Sequence, residues 1–111
     1  MSQKFVATRN KGFAMTFDNN YTISVQWGTE NYFEKKHTTI HPTNPMEHKI
    51  WDSLSAEIAV FDNEEMINIS SDGVDDVIGW LGTEDVAKAI AIVSSAKSAD
   101  EIQTKIKKLG L

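Results

Sequence analysis

The residues with metal-ligating chemistry in this chain are three histidines, His37, His41 and His48, flanked by Glu34 and Glu47 as oxygen donors. Zinc takes three or four such ligands on a stiff frame. The histidine spacing matches no standard zinc site, and Pro42 and Pro45 interrupt it, so these read as surface histidines and no metal is expected. The run Ser70-Ser71-Asp72-Gly73-Val74-Asp75-Asp76 gathers three carboxylates around a glycine. A calcium loop needs ligands at alternating positions and a distal glutamate, and both are missing, so the run reads as a solvated acidic turn. There is no phosphate-binding loop, nucleophile elbow or dinucleotide fingerprint. With no cysteine there is no thiolate nucleophile and no disulfide framework. Nothing pairs two of the carboxylates for acid–base work. The sequence therefore points to a non-enzymatic protein with no cofactor.

A second group suits contact rather than catalysis. Gln26, Trp27, Asn31 and Tyr32 place two amphipathic aromatics and two amides around Gly28, with Lys35 and Lys36 just beyond and Trp51 further on. Such residues anchor a protein partner or stack on a planar ligand. Trp27 reads first as closing one end of the core, whereas Asn31 and Tyr32 fit a contact role and a loop-closing role equally.

Charge separates the chain into three parts. Residues 50–85 hold ten acids and no Lys or Arg, and the parts before and after carry +2 and +3, giving the total of −5. Asp62, Glu64, Glu65, Asp72, Asp75 and Asp76 form a candidate acidic docking surface within that stretch. The acidic middle and the single arginine, Arg9, disfavour direct nucleic-acid binding, which needs a basic surface to displace counterions.

The elements that position these groups follow from periodicity. In Gly12–Trp27, Phe13, Met15 and Phe17 share one strand face, and Tyr21, Ile23, Val25 and Trp27 share another. A two-residue turn would set apolar against polar along the ladder. A three-residue loop, Asp18-Asn19-Asn20, pairs Phe17 with Tyr21, Met15 with Ile23 and Phe13 with Val25, and requires Asn20 in the left-handed region. Ala56–Phe61 reads as a central strand turning through Asn63-Glu64 into Met66–Ile69, pairing Val60 with Ile67 and Ile58 with Ile69. Val77–Leu81 reads as a short fifth strand. Thr83 as N-cap, followed by Glu84 and Asp85, starts a helix with Val86, Ile90 and Val93 on one face. Ser98 with Glu101 has capping-box spacing, and Ile102, Ile106 and Leu109 stripe a second helix ended by Gly110.

The 111 residues, 41% hydrophobic and 24% charged, suit one domain with one core. The expected fold is α+β: an antiparallel sheet of four to five strands built from two β-hairpins, followed by two C-terminal helices packed on one face. Residues 1–10 are read as a flexible N-terminus and residues 34–54 as a long loop. No apolar run reaches the length of a membrane span, and the start, MSQKFVATRNKGF, lacks the apolar core of a secretory signal, so a cytosolic location is expected.

Gly12-Phe13-x-Met15-Thr16-Phe17 and Thr22-Ile23-Ser24-Val25-Gln26-Trp27-Gly28-x-x-Asn31-Tyr32 resemble a family of small proteins encoded by tailed bacteriophages and prophages. Ala56–Ala59 and Asp76–Leu81, followed by Glu84-Asp85-Val86-Ala87, are similar to it as well, and the resemblance runs over residues 12–93. Relatives often carry Asn-Gly at the hairpin turn and a cysteine after Asn-Tyr, where this chain has Asn19-Asn20 and Phe33, which argues against a thiol role. The resemblance implies a setting, the host cytoplasm during infection, and a role by company kept: accessory proteins that bind and neutralise a host component or defence system.

Three functions follow as expectations. The first is docking on a host protein through the acidic middle or an exposed sheet edge. The second is a small-molecule sponge that sequesters a signalling nucleotide by stacking on Trp27, Tyr32, Trp51 or Trp80, with Lys35 and Lys36 nearby. The third is a minor structural or assembly-associated phage protein. A homo-oligomer suits all three, because sheet edges and apolar residues such as Met46, Ile50 and Trp51 need covering.

Overall fold

The computed structural model describes residues 3–7, 11–27, 53–70 and 76–111. They form strands β1 (Lys4–Ala7), β2 (Gly12–Thr16), β3 (Tyr21–Gln26), β4 (Ala56–Asp62), β5 (Glu65–Ile67) and β6 (Val77–Leu81), then helices α1 (Thr83–Ser95) and α2 (Ala99–Lys108). The sheet is antiparallel throughout, in the order β1-β2-β3-β4-β5, with β6 also paired to β4. An α+β arrangement, sheet first and helices last, is what the patterning predicted.

The β2–β3 hairpin has the expected register, with Phe13 opposite Val25 and Met15 opposite Ile23. Its three-residue loop closes through the Phe17 amide donating to Tyr21 and the Asn20 amide donating to Phe17, at 3.0 and 2.9 Å. Asn20 sits at φ 74°, the left-handed position that an asparagine tolerates. Gly12 opens the hairpin at φ 146°, so close to β3 that a Cβ would collide with the Val25 carbonyl oxygen. Only glycine fits there.

Three details depart from the sequence reading. Lys4–Ala7, inside the stretch read as flexible, is a strand that pairs with β2 from Lys4 opposite Thr16 to Ala7 opposite Phe13. It is exposed along its whole length, so no burial pattern announces it; what it satisfies is the outer backbone of β2. Second, the β4–β5 turn at Asn63-Glu64 pairs Val60 with Ile67 as expected, but the ladder then ends. Ile58 pairs with Ile78 of β6 rather than with Ile69, which instead sinks fully into the core. β5 and β6 thus share one edge of β4. Third, α1 is capped by Gly82 rather than Thr83, through its carbonyl accepting from the Val86 amide at 3.1 Å.

β6 is irregular. Ala56 faces Leu81 and Ile58 faces Ile78, which leaves Glu57 opposite two residues, Gly79 and Trp80. This is a β-bulge, and within it Trp80 takes φ 63°.

Both helices pack on one face of the sheet. Ile23, Val25, Ile58, Val60, Ile78 and Leu81 from the sheet meet Ala89 and Val93 of α1 and Ile102 and Ile106 of α2 in one buried cluster. The sheet's other face carries the alternate positions, including Thr16 and Thr22, whose hydroxyls share a 2.8 Å hydrogen bond. The second helix starts as its capping box predicts: the Ser98 Oγ accepts from the Glu101 amide at 3.1 Å. Glu101 reaches back one residue further than in the usual box, to the Lys97 amide at 3.1 Å.

Candidate functional site

The alternation that builds the core runs out where β3 ends, and there the helix layer stands away from the sheet. A cleft of about 340 Å³ opens between the ends of β2, β3, β4 and β6 and the first half of α1. That size falls at the lower end of the roughly 300–1,000 Å³ of ligand pockets. Val25, Ala56 and Leu81 form its buried floor. Phe13 and Trp27 make one wall, their rings edge-to-face with centroids 6.3 Å apart. Val86 and Ile90, one turn apart on α1, make the other. Leu54 stands at the lip, 66% exposed.

The polar complement of the cleft is small. The Ser53 hydroxyl donates to the Ser55 carbonyl at 2.7 Å and accepts from the Ser55 amide at 3.3 Å, so its capacity is spent locally. Ser55, Thr83 and the Gly82 backbone are the other polar groups among the described lining residues. Among the described lining residues none is an acid, a histidine, a lysine or an arginine. Such a lining favours an apolar group, and its described residues offer no charge to set against a phosphate.

The candidate residues named from the sequence separate in space. Trp27 lies in the cleft wall, as a residue closing one end of the core should. Gln26 belongs to the opposite face of the sheet, where it pairs with Gly12 and Glu57 and its amide donates to the Ser24 hydroxyl at 3.0 Å. The two neighbours therefore cannot serve one site. Asn31, Tyr32, Lys35, Lys36 and Trp51 lie outside the described residues, as do the three histidines.

The acidic surface also divides. Asp62, Glu64 and Glu65 meet at the β4–β5 turn, with Asp62 directly opposite Glu65 in the ladder. All three are exposed, and among the described residues they make no ion pair. Asp76 immediately precedes β6, while Asp72 and Asp75 lie outside the described residues. Since β4 runs from Ala56 in the cleft to Asp62 in the turn, the turn is about 20 Å from the cleft at the usual rise of a strand.

Among the described residues no three His, Asp or Glu side chains are placed to hold a metal ion, and no helix is long and apolar enough to cross a membrane. Sequence reasoning missed Leu54 and the partition of Phe13, Val86 and Ile90 between core and cleft. A single large apolar residue between Ser53 and Ser55 was the available signal.

No family model, curated protein or solved structure matches the chain.

Proposed function

We propose that this chain is a non-enzymatic binding protein that docks on a host protein, in the setting of a tailed phage or prophage and in the host cytoplasm. The observation that carries the reading is the cleft. It is concave, walled by two aromatics and two helix aliphatics, and carries no charged group among its described lining residues. Protein interfaces are anchored by apolar and aromatic side chains seated in such pockets, ringed by contacts that exclude water. A nucleotide would need cations for its phosphates, and the described lining offers none, so a sponge ranks second.

A homo-oligomer fits the same reading. β1 ends the sheet with Phe5 80% exposed and Val6 42% exposed, an edge that a second copy would cover.

Native mass spectrometry of the protein isolated from producing host cells tests both points. The reading expects a complex with one host protein at fixed stoichiometry, built on more than one copy of the chain. A chain that flies alone, or that releases a nucleotide on denaturation, contradicts it.

A further inference from the structure

The outer edge of the sheet is defined by which backbone groups it leaves open. In the β2–β3 hairpin the Phe17 amide donates to Tyr21 and the Trp27 amide to Lys11, so Phe13, Met15 and Phe17 turn their backbone groups toward β3. Gly12, Ala14 and Thr16 therefore turn theirs toward β1, where Thr16 faces Lys4 and Ala14 faces Val6. Lys4 and Val6 are thus spent on β2. The N–H and C=O groups of Phe5 and Ala7, and of Gln3 by the same alternation, point out of the sheet.

Nothing described covers them. Residues 3–7 are all exposed, and Phe5, at 80%, is the most exposed large hydrophobic side chain among the described residues. Phe5 lies in one row with Met15 and Ile23, so its ring stands on the helix face of the sheet. That face is open beside it, because α1 lies over β3 and β4, and α2 reaches Asn68 beyond β5.

Resting on the homo-oligomer reading above, we propose that β1 pairs antiparallel with β1 of a second copy about a two-fold axis at Phe5, joining the two sheets into one. The open groups are symmetric about this residue. Phe5 bonds Phe5 of the second copy, and Gln3 bonds Ala7 in both directions, so the edge is its own complement. The two Phe5 rings meet on the helix face, each covering the other. Centring on Val6 instead sets Phe5 against Ala7 and leaves Gln3 without a described partner. Lys4 is the one charge in residues 3–7, and the two-fold places it opposite Val6. The two copies of Lys4 then lie on a diagonal, about 7–8 Å apart, where salt screens them. An edge about 17 Å long buries less than a standard interface, so the dimer is concentration-dependent.

The chain has no cysteine, so one introduced thiol reads the pairing in the full-length protein. In Phe5→Cys the two thiols face each other across the axis, with Cα atoms about 5.5 Å apart and within disulfide reach. In Val6→Cys they lie on the diagonal, about 7–8 Å apart and outside it. Oxidation of each purified variant is expected to give about tenfold more disulfide dimer from position 5 than from position 6. Phe5→Pro removes one outward N–H from each copy and none from the β1–β2 ladder. Sedimentation over a concentration series is expected to show its dimer weakened about tenfold, with thermal melts confirming the fold.

Cross-linking that favours position 6, or does not distinguish the two, overturns the register. Cross-linking from neither position, or Phe5→Pro associating like the wild type, in a chain that still sediments as more than one copy, overturns pairing through β1 and leaves the homo-oligomer standing. A chain that stays single at every concentration overturns both, while docking on a host protein is decided separately by the complex from host cells.

Discussion

Asn19 and Val93 are 74 residues apart in sequence, yet the Asn19 side-chain amide donates to the Val93 carbonyl at 2.8 Å. The same nitrogen donates to the Ala96 carbonyl at 2.9 Å, while the Asn19 Oδ1 accepts from the Tyr21 amide at 3.1 Å. One hairpin-loop side chain thus shapes its own turn, satisfies the Ala96 carbonyl where α1 ends, and adds a second donor to the Val93 carbonyl, which also accepts from the Ala96 amide at 3.4 Å. The contact ties the C-terminal end of α1 to the β2–β3 loop, at the end of the helix away from the cleft.

Asn19→Ala is therefore expected to destabilise the fold by about 1–3 kcal/mol, the range for leaving a partly buried carbonyl, here that of Ala96, unpaired. Asn19→Asp should cost more, because a carboxylate would face two carbonyl oxygens. Urea denaturation at neutral pH checks both, with the slope unchanged and only the midpoint lowered.

Trp80 makes a prediction that runs against ordinary strand preference. Glycine in a strand is normally worse than alanine. At φ 63° the order reverses, so Trp80→Gly should be more stable than Trp80→Ala by about 1 kcal/mol. Thermal melts of the two variants decide it, and alanine proving the more stable would refute the left-handed assignment.

Glu101 gives the pH dependence. The Lys105 ammonium, hydrogen-bonded to it at 2.9 Å, holds its carboxyl below the usual value, helped by the Lys97 amide. A group whose folded pKa is depressed contributes stability above its unfolded pKa and loses it as pH falls through the folded one. The start of α2 should accordingly loosen only in acid, below the ordinary glutamate range. An NMR titration of the Glu101 carboxyl should show the lowered midpoint, and Lys105→Ala should move it back up. The effect is small because both side chains face water.

The parts of the fold that were legible are those where one register alone buries an apolar face. In the β2–β3 hairpin, a shift by one residue would turn Met15 and Ile23 to opposite faces, so alternation decided both pairing and loop. The two helices were legible for the same reason at a different period. β1 was not: four exposed residues carry no pattern, and their strand state depends on β2 being there to pair. Ile69 was mispaired because a continuing hairpin and a strand that leaves its ladder look alike until β6 is known to occupy the same edge.

The candidate site was less legible than the fold. Trp27 was named, but its partner Phe13 was read only as core, and Val86 and Ile90 belong to a helix stripe whose first turn happens to face open space. Nothing in a helical repeat says where the helix stands away from the sheet. Trp80 was visible as an aromatic, not as a strained one, since backbone dihedrals set by a bulge have no signature in neighbouring residue types.

The most direct test of docking through the cleft is to fill it. Ala87 lies on the lining and is exposed, so Ala87→Trp adds an indole to the cleft without opening the core. Wild-type and variant chains isolated from the same host cells should be compared by native mass spectrometry, with thermal melts confirming equal folding. Docking through the cleft predicts a host-protein complex for the wild type and its loss in Ala87→Trp. An identical complex in both, with the cleft filled, would contradict it.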